Sequence, residues 1–337
     1  MSATLPAMPH RAALFTGTLF ALAAGLMWGL VFIAPTLLPQ YPAALLSFGR
    51  YLAFGLIALP LAWLDRTRIA QLTRADWIEA TKLSLIGNIV YYLFLAAAIQ
   101  HAGGPLPTMI IGTLPVVIAI SSNLRDGARD GVLRWRQLAL PLATIVSGIA
   151  LVNHSEWSHL QEDRQADAQE DPSADFTRYA LGAALAVGAV ICWTWYPIRN
   201  ADWLRAHSDR SPNTWATAQG LATLPLALAG YIGFVVWSTA SDSALALPFG
   251  PEPLRFVLLM LAIGLFASWL GTLCWNEASQ RLPTTLVGQL IVFETLAALA
   301  YAFMLRGRGP DAYTGAGIAL LVFGVVAALR LKPRRSH

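Results

Sequence analysis

Apolar runs of roughly 20 residues recur along the chain, and a helix needs about that length to cross the hydrocarbon core of a bilayer. Alternating strands of about ten residues, the mark of a membrane barrel, do not occur in the sequence. The pattern therefore predicts an all-α membrane protein. Ten transmembrane helices are expected, at Leu14–Ala34, Ala43–Trp63, Leu83–Gln100, Leu106–Ser122, Leu138–Val152, Tyr179–Ile198, Thr214–Val236, Leu254–Trp275, Thr284–Leu305 and Ala312–Leu331.

Composition supports this prediction. The chain of 337 residues is 56% hydrophobic and 12% charged, whereas a soluble domain carries about 25% charged residues. Its basic residues are dispersed among short loops, which gives no reason to expect nucleic acid as a partner. Cys192 and Cys274 both lie inside apolar runs and are interpreted as packing residues, without a disulfide or a metal site.

The distribution of Lys and Arg predicts the orientation. Alternate loops and the C-terminal tail hold 17 of the 23 basic residues, and the opposite loops hold five. Both termini are therefore expected to be cytoplasmic. The acidic segment 154–178 is predicted to be a flexible periplasmic loop that separates a first five-helix unit, residues 1–153, from a second one, residues 179–337, which ends in a basic cytoplasmic tail.

The sequence also repeats itself. The segment Ile263–Ala298 has the same arrangement of two apolar runs as the segment Ile86–Ile120. Each half has an odd number of spans, so the two halves would be inverted relative to each other, as in carriers that work by alternating access around a midplane site. Chance similarity between Ala/Leu/Gly-rich helices is the alternative. The matched positions are Gly87 with Gly264, Ala98 with Ala278, Gln100 with Gln280, Gly17 with Gly182, Trp28 with Trp193, and Gly148 with Gly324.

Four stretches carry a family resemblance: Ala24–Gly29, Phe48–Ala53, Ala98–Pro115 and Ala278–Glu294. With them the chain resembles the drug/metabolite transporter superfamily in its ten-helix form of two EamA-type repeats. The segment Cys274-Trp275-Asn276 is more narrowly similar to bacterial aromatic amino acid exporters. That resemblance implies efflux of aromatic and other amino acids from the cytoplasm.

Charged residues inside the predicted spans are few, and each costs roughly 2.5–3.5 kcal/mol at mid-bilayer on insertion scales. Glu294 lies halfway along the ninth span and would contact a substrate ammonium or exchange a proton. The alternative roles are a structural partner for Arg50 or a helix cap. Arg50 would bind a substrate carboxylate through two hydrogen bonds; alternatively it pairs with Glu294 or extends outward to the interface.

Aromatic and polar residues at similar depth complete the predicted substrate site. Tyr91, Tyr92 and Trp269 are expected to line it, since their rings offer an apolar face and a polar edge. Trp28 and Trp193 are expected to lie one toward each membrane face and to gate the path, although interfacial anchoring is the commoner role of tryptophan. Uncharged hydrogen bonds to substrate, or between helices, are expected from Asn88, Ser268, Gln289 and Thr295.

The expected function is export of amino acids, aromatic ones favoured, by a multi-pass protein of the bacterial inner membrane. Its expected partners are the amino acid substrate and the lipid bilayer, with protons as a coupling ion that Glu294 would permit, and the chain acts as a monomer. No cofactor is expected, and the G-x-x-x-x-G-K-[ST] phosphate loop of ATPases does not occur. The alternatives are export of another metabolite or a drug, and an intramembrane lipid or glycan transferase. The transferase is disfavoured because no metal-binding spacing of histidines occurs.

Overall fold

A computed structural model describes residues 10–102, 107, 110–125, 134–166, 172–241, 245–307 and 309–330. Within these ranges the chain forms helices and no strand, which confirms the all-α prediction for this part of the molecule. Seven of the described helices are long and apolar enough to cross a membrane, and three further apolar helices, Leu114–Arg125, Trp135–Leu151 and Ala312–Gly324, are shorter. Ten crossings stay a prediction.

The first half of the chain begins with helices whose ends follow local sequence signals. Thr73 caps the helix Arg74–Leu83: its hydroxyl accepts a hydrogen bond from the Asp76 amide at 3.3 Å, and Asp76 accepts one from the Thr73 amide at 2.8 Å. The helices are α1 (His10–Gly29), continued by a 3₁₀ turn (Leu30–Phe32) and α2 (Ile33–Leu37), then α3 (Ala43–Leu64), α4 (Arg66–Ile69), α5 (Arg74–Leu83), a first π segment (Ser84–Val90), α6 (Tyr91–Ala102), α7 (Leu114–Arg125) and α8 (Trp135–Ala166).

In the second half, proline and glycine mark helix ends. Pro212 and Pro253 occupy first helical positions, where proline's missing N–H costs no hydrogen bond. Gly307 follows the helix Val292–Arg306 with a φ of 63°, a left-handed conformation that glycine adopts without strain. The helices are α9 (Pro172–Ala206), α10 (Pro212–Ala240), α11 (Pro253–Ile263), a second π segment (Gly264–Leu270), α12 (Gly271–Arg281), α13 (Thr284–Leu290), α14 (Val292–Arg306) and α15 (Ala312–Leu329).

The acidic segment 154–178 differs from its prediction. It is helical through Ala166 and again from Pro172, so a loop over its whole length is wrong; residues 167–171 lie outside the described ranges. The reason is local: the segment has no glycine, and its Glu, Gln, Arg and Ala residues have favourable helix propensities. Low hydrophobicity indicates that a segment is not buried, and it does not by itself indicate a break in secondary structure.

Most helices pack in pairs, with one helix from each half of the chain. Helix α3 lies along α10, α6 along α9, α8 along α15, α7 along α13, and α1 between α12 and α14. Small residues permit these approaches, as is usual between membrane helices. A Cβ atom at Gly182 would lie 2.4 Å from Cβ of Ala102, so α9 and α6 come together only because that position is glycine.

Two π-helical segments interrupt the spans that contain α5–α6 and α11–α12. Each is seven residues long, Ser84–Val90 and Gly264–Leu270. Segments of this kind widen a helix locally and often occur at functional sites. Both lie in the buried centre of the bundle, the first against Tyr196 at Gly87 and the second against Ala53 at Gly264.

Candidate functional site

A buried cavity lies where α1, α3, α6, α9, α12, α14 and both π segments converge. Its wall combines opposite charges, aromatic rings and small polar groups, a mixture that suits a polar ligand with an apolar part. The lining residues are Trp28, Val31, Arg50, Tyr51, Asn88, Tyr91, Trp193, Ala267, Ser268, Thr272 and Glu294.

Arg50 brings a positive charge to this cavity. The residue is only 6% exposed, and its Nε donates a hydrogen bond to Ser268 Oγ at 3.0 Å. The guanidinium lies 4.8 Å from the ring centres of both Tyr51 and Tyr92, so two aromatic faces stabilise its charge. Its Nη1 is buried without a hydrogen-bond partner among the described residues. One donor of Arg50 is therefore left for a ligand.

Glu294 brings the opposite charge from the first turn of α14, where the helix dipole favours an anion. The residue is 6% exposed, and in the described part of the chain its Oε2 has no hydrogen-bond partner. Arg50 and Glu294 do not form an ion pair within 4.0 Å, although both line the cavity. The alternative role, in which Arg50 and Glu294 pair directly with each other, is therefore not observed for these two described side chains.

Trp28 and Trp193 meet at the cavity. Their ring centres are 5.1 Å apart and edge to face, and Trp193 also stacks on Tyr91 at 4.7 Å. This contact corrects the prediction that the two tryptophans lie toward opposite membrane faces, since both side chains point inward at one depth. The indole Nε1 of Trp193 is a second buried donor that lacks a partner within the described ranges.

Comparison with known proteins agrees with this architecture. Inner membrane protein YtfF of Escherichia coli K12 is 52% identical over 322 residues, which cover 96% of this chain and 97% of that protein. The model of the EamA-like transporter family matches residues 15–153. The chain belongs to the EamA-like transporter family. It is, like that relative, a multi-pass protein of the inner membrane.

Two more distant similarities of this EamA-like transporter extend over most of the chain. An uncharacterized transporter of Archaeoglobus fulgidus is 21% identical, over 83% of this chain and 85% of its own length. A protein of known crystal structure superposes with a TM-score of 0.66 at 17% identity, over 93% of this chain and 96% of the other. That similarity supports the helical architecture across almost the whole chain.

The cavity of this EamA-like transporter is nearly closed in the described conformation. The space between its side chains is about what one water molecule needs. Binding of a larger ligand would require the surrounding helices or side chains to move apart. Aromatic rings form part of this close packing, since Trp28 also contacts Trp275, with ring centres 5.0 Å apart.

Other predicted site residues have different positions. Asn88 and Ser268 line the cavity, and Tyr92 lies just behind it beneath Arg50. Trp269 and Thr295 lie outside the cavity wall, and Trp269 Nε1 donates to Thr217 Oγ1 at 3.2 Å. The side chain of Gln289 is outside the described part of the structure. Their prediction rested on position along the span alone, but successive residues are turned by about 100° around a helix, so neighbours of lining residues can face away.

Sequence reasoning missed four of the lining residues: Val31, Tyr51, Ala267 and Thr272. Thr272 follows Ser268 by four residues and so lies on the same helix face, a signal that was available in the sequence. Tyr51 could have been found as the neighbour of a buried arginine, since aromatic faces commonly accompany such charges. Val31 and Ala267 carry no polar atom that would have marked them.

A buried polar network extends from the cavity and was also missed. Tyr196, whose ring stacks on Trp193 of the cavity wall, donates a hydrogen bond from its hydroxyl to Gln219 Oε1 at 2.8 Å. Gln219 donates to Asn200 Oδ1 at 3.1 Å, and Asn200 donates to Asn276 Oδ1 at 2.7 Å. The network links α9, α10 and α12 on the side of the cavity nearest the start of α10. Buried amides in a membrane span are rare enough for their spacing to have been informative.

Proposed function

We propose that the protein is a secondary transporter that exports amino acids, aromatic ones favoured, by alternating access at the central cavity. One observation carries the proposal. Arg50 Nη1 and Trp193 Nε1 are donors, and Glu294 Oε2 is an acceptor; all three border one buried cavity, and none has a hydrogen-bond partner among the described residues. Unpaired buried polar groups are costly, so a ligand that satisfies all three would be bound selectively.

A zwitterionic α-amino acid has the matching chemistry. Its carboxylate would accept hydrogen bonds from Arg50 and the Trp193 indole, and its ammonium would donate to Glu294. An aromatic side chain would stack beside Tyr91 and Trp193, where offset or edge-to-face ring contacts add about 0.5–1.5 kcal/mol. Asn88 and Ser268 would supply neutral hydrogen bonds. Glu294 would also exchange a proton when no ammonium is bound, which is how protons would be coupled to transport.

We further propose ten spans in two inverted five-helix halves, with both termini in the cytoplasm. The π segments start 180 residues apart, the same offset that separates Gln100 from Gln280. Gln100 donates to the backbone carbonyl of Tyr41 at 3.2 Å, and Gln280 donates to that of Arg210 at 3.4 Å. The two acceptors precede α3 and α10, which are corresponding helices in the two halves.

Glycine contacts support the same inverted relation. A Cβ atom at Gly148 would meet Leu321 Cγ at 2.9 Å, and one at Gly324 would meet Ile145 Cγ1 at 2.7 Å. On the Gly148-to-Gly324 offset of 176 residues, Ile145 corresponds to Leu321. Helices α8 and α15 therefore make equivalent contacts with each other. Rocking of one half against the other would open the cavity to each membrane face in turn.

Counterflow in proteoliposomes tests the proposed function. Vesicles loaded with unlabelled amino acid should take up labelled amino acid transiently, and screening all twenty would define the substrate range. The matched variants are Arg50→Gln and, as a control at the exposed ion pair with Glu252, Arg255→Gln. We expect Arg50→Gln alone to lose counterflow. Absence of counterflow for every amino acid, together with counterflow of some other metabolite or drug, would reject the proposed substrate.

A further inference from the structure

The molecule has a second and much larger cavity, a groove between α7 and α9 with a volume of about 590 Å³. Its walls are apolar at Val117 and Val190 and aromatic at Trp195. Ligand pockets in proteins typically measure about 300–1,000 Å³. In the described conformation the groove therefore has room for an amino acid, whereas the central cavity has room for about one water molecule.

Opposite charges stand together at one end of the groove. Arg125 forms an ion pair with Asp202, and their side chains remain 48% and 18% exposed. The second lining arginine, Arg199, is bonded to both carboxylate oxygens of Glu79. Each of the two lining arginines is thus matched by a carboxylate, so the groove lacks the excess positive charge that selects an anionic lipid headgroup. A paired positive and negative group instead complements a zwitterion.

One residue of the groove wall also has a polar atom without a partner. Thr194 Oγ1 is buried and has no hydrogen-bond partner in the described ranges. The preceding residue, Trp193, lines the central cavity from the same helix. One turn of α9 therefore carries a residue of the groove beside a residue of the central cavity.

We propose that this groove is a second binding site for a zwitterionic amino acid, at which the exported substrate first binds from the cytoplasm. Asp202 would accept the ammonium, Arg125 would bind the carboxylate, and the side chain would lie along Val117, Val190 and Trp195. The identity of the ligand rests on the proposed function. The location rests on the predicted topology, in which the C-terminal ends of α7 and α9 face the cytoplasm.

Cysteine protection measures binding in the groove without requiring transport. Ser121→Cys places a thiol in the groove wall, in a background where the two native cysteines, Cys192 and Cys274, are replaced by alanine. The alkylation rate would be measured in proteoliposomes against rising concentrations of each amino acid. We expect saturable slowing by at least fivefold. Ser211→Cys, which lies outside the groove, should react at the same rate with and without amino acid.

Two further variants locate the binding groups. In the Ser121→Cys background, Asp202→Asn should raise the half-protecting concentration about tenfold or more, because a hydrogen bond to a charged group is lost. Arg255→Gln, at an ion pair outside the groove, should leave it unchanged. If Asp202→Asn does not fold, Thr194→Val provides the same test by removing the unpartnered hydroxyl, and a severalfold rise is expected.

The outcomes separate the second site from the proposed function. Protection by amino acids supports the groove site even if counterflow is absent, in which case only the proposed transport fails. No protection by any amino acid overturns the site, even in protein that shows normal counterflow. Protection that depends on the phosphatidylethanolamine content of the vesicles, and not on amino acid, overturns it in favour of a bound lipid.

Discussion

At the scale of single residues, the central cavity combines charges that are stabilised but not paired with each other. Arg50 is held by Ser268 and by two tyrosine rings, and these contacts leave one guanidinium nitrogen unused. Glu294 is equally buried and keeps one oxygen unused. Proteins tolerate such groups where they have a function, because each unsatisfied buried group costs about 1–3 kcal/mol.

Glu294→Gln should reduce transport about tenfold to a hundredfold while the protein still folds. The substitution keeps the shape of the side chain but removes the charge that would bind a substrate ammonium, a contact of about 1.5–3 kcal/mol. Counterflow and size-exclusion profiles would be measured together. Glu277→Gln, at the ion pair with Arg281, is the control. Wild-type flux with unchanged pH dependence would exclude the proposed role of Glu294.

Tyr91→Ala should impair aromatic substrates more than small ones. The Tyr91 ring stacks on Trp193 at the cavity, and its loss removes a surface against which a substrate ring could pack. Half-saturation for phenylalanine should rise about threefold to tenfold more than that for alanine, and Tyr91→Phe should keep the wild-type ratio. Equal losses for both substrates would contradict ring stacking.

At the scale of elements, close helix contacts set the geometry of the site. Gly25 of α1 packs against the backbone of α14 beside Glu294, so the position of the carboxylate depends on a residue without a side chain. The buried amide network performs a related role between α9, α10 and α12, since its hydrogen bonds fix how those helices are rotated.

Gly25→Ala should slow transport and lower thermal stability. The new Cβ atom would lie 3.0 Å from the amide nitrogen of Glu294, and backbone cannot yield as a flexible side chain does. Helices α1 and α14 would have to separate, which displaces Glu294. Gly233→Ala is the matched control, because nothing lies within 4 Å of a Cβ atom there. That control should be neutral or stabilise helix α10 by about 0.5–1 kcal/mol.

Asn200→Ala should destabilise the protein by about 2 kcal/mol. The amide of Asn200 accepts from Trp215 and Gln219 and donates to Asn276, and membrane interhelical hydrogen bonds contribute about 0.6–1 kcal/mol each. Thermal unfolding in detergent would measure the change. Asn213→Ala, at a half-buried position beside the same network, should shift the midpoint much less. An equal shift for both variants would mean that the network contributes little.

At the scale of the whole molecule, hydropathy predicted the helices well because membrane spans must be apolar and about 20 residues long. The same reasoning failed at residues 154–178, where the helix continues in polar sequence. It also selected Glu294, Arg50 and Tyr91, which line one cavity, but it could not assign the direction in which Trp269 faces or the contact between Trp28 and Trp193. Both features depend on how each helix is rotated about its own axis relative to helices that are distant in the sequence.

Accessibility labelling tests the predicted orientation of the whole chain. A cysteine introduced by Ser173→Cys should react with a membrane-impermeant thiol reagent added to intact cells, because residues 154–178 are predicted to be periplasmic. Ser336→Cys in the basic tail should react only after lysis. The native cysteines are buried and contribute little background. The reverse pattern would overturn the topology, and with it the direction of transport.

The contact between Trp28 and Trp193 has a consequence for ion leakage. These two rings come from helices far apart in sequence, and Trp193 is stacked in turn between Tyr91 and Tyr196. As long as this column of rings is intact, we expect it to interrupt any continuous file of water through the cavity. A substrate that separates the rings would itself fill the space between them, so the membrane potential would be preserved during each transport cycle.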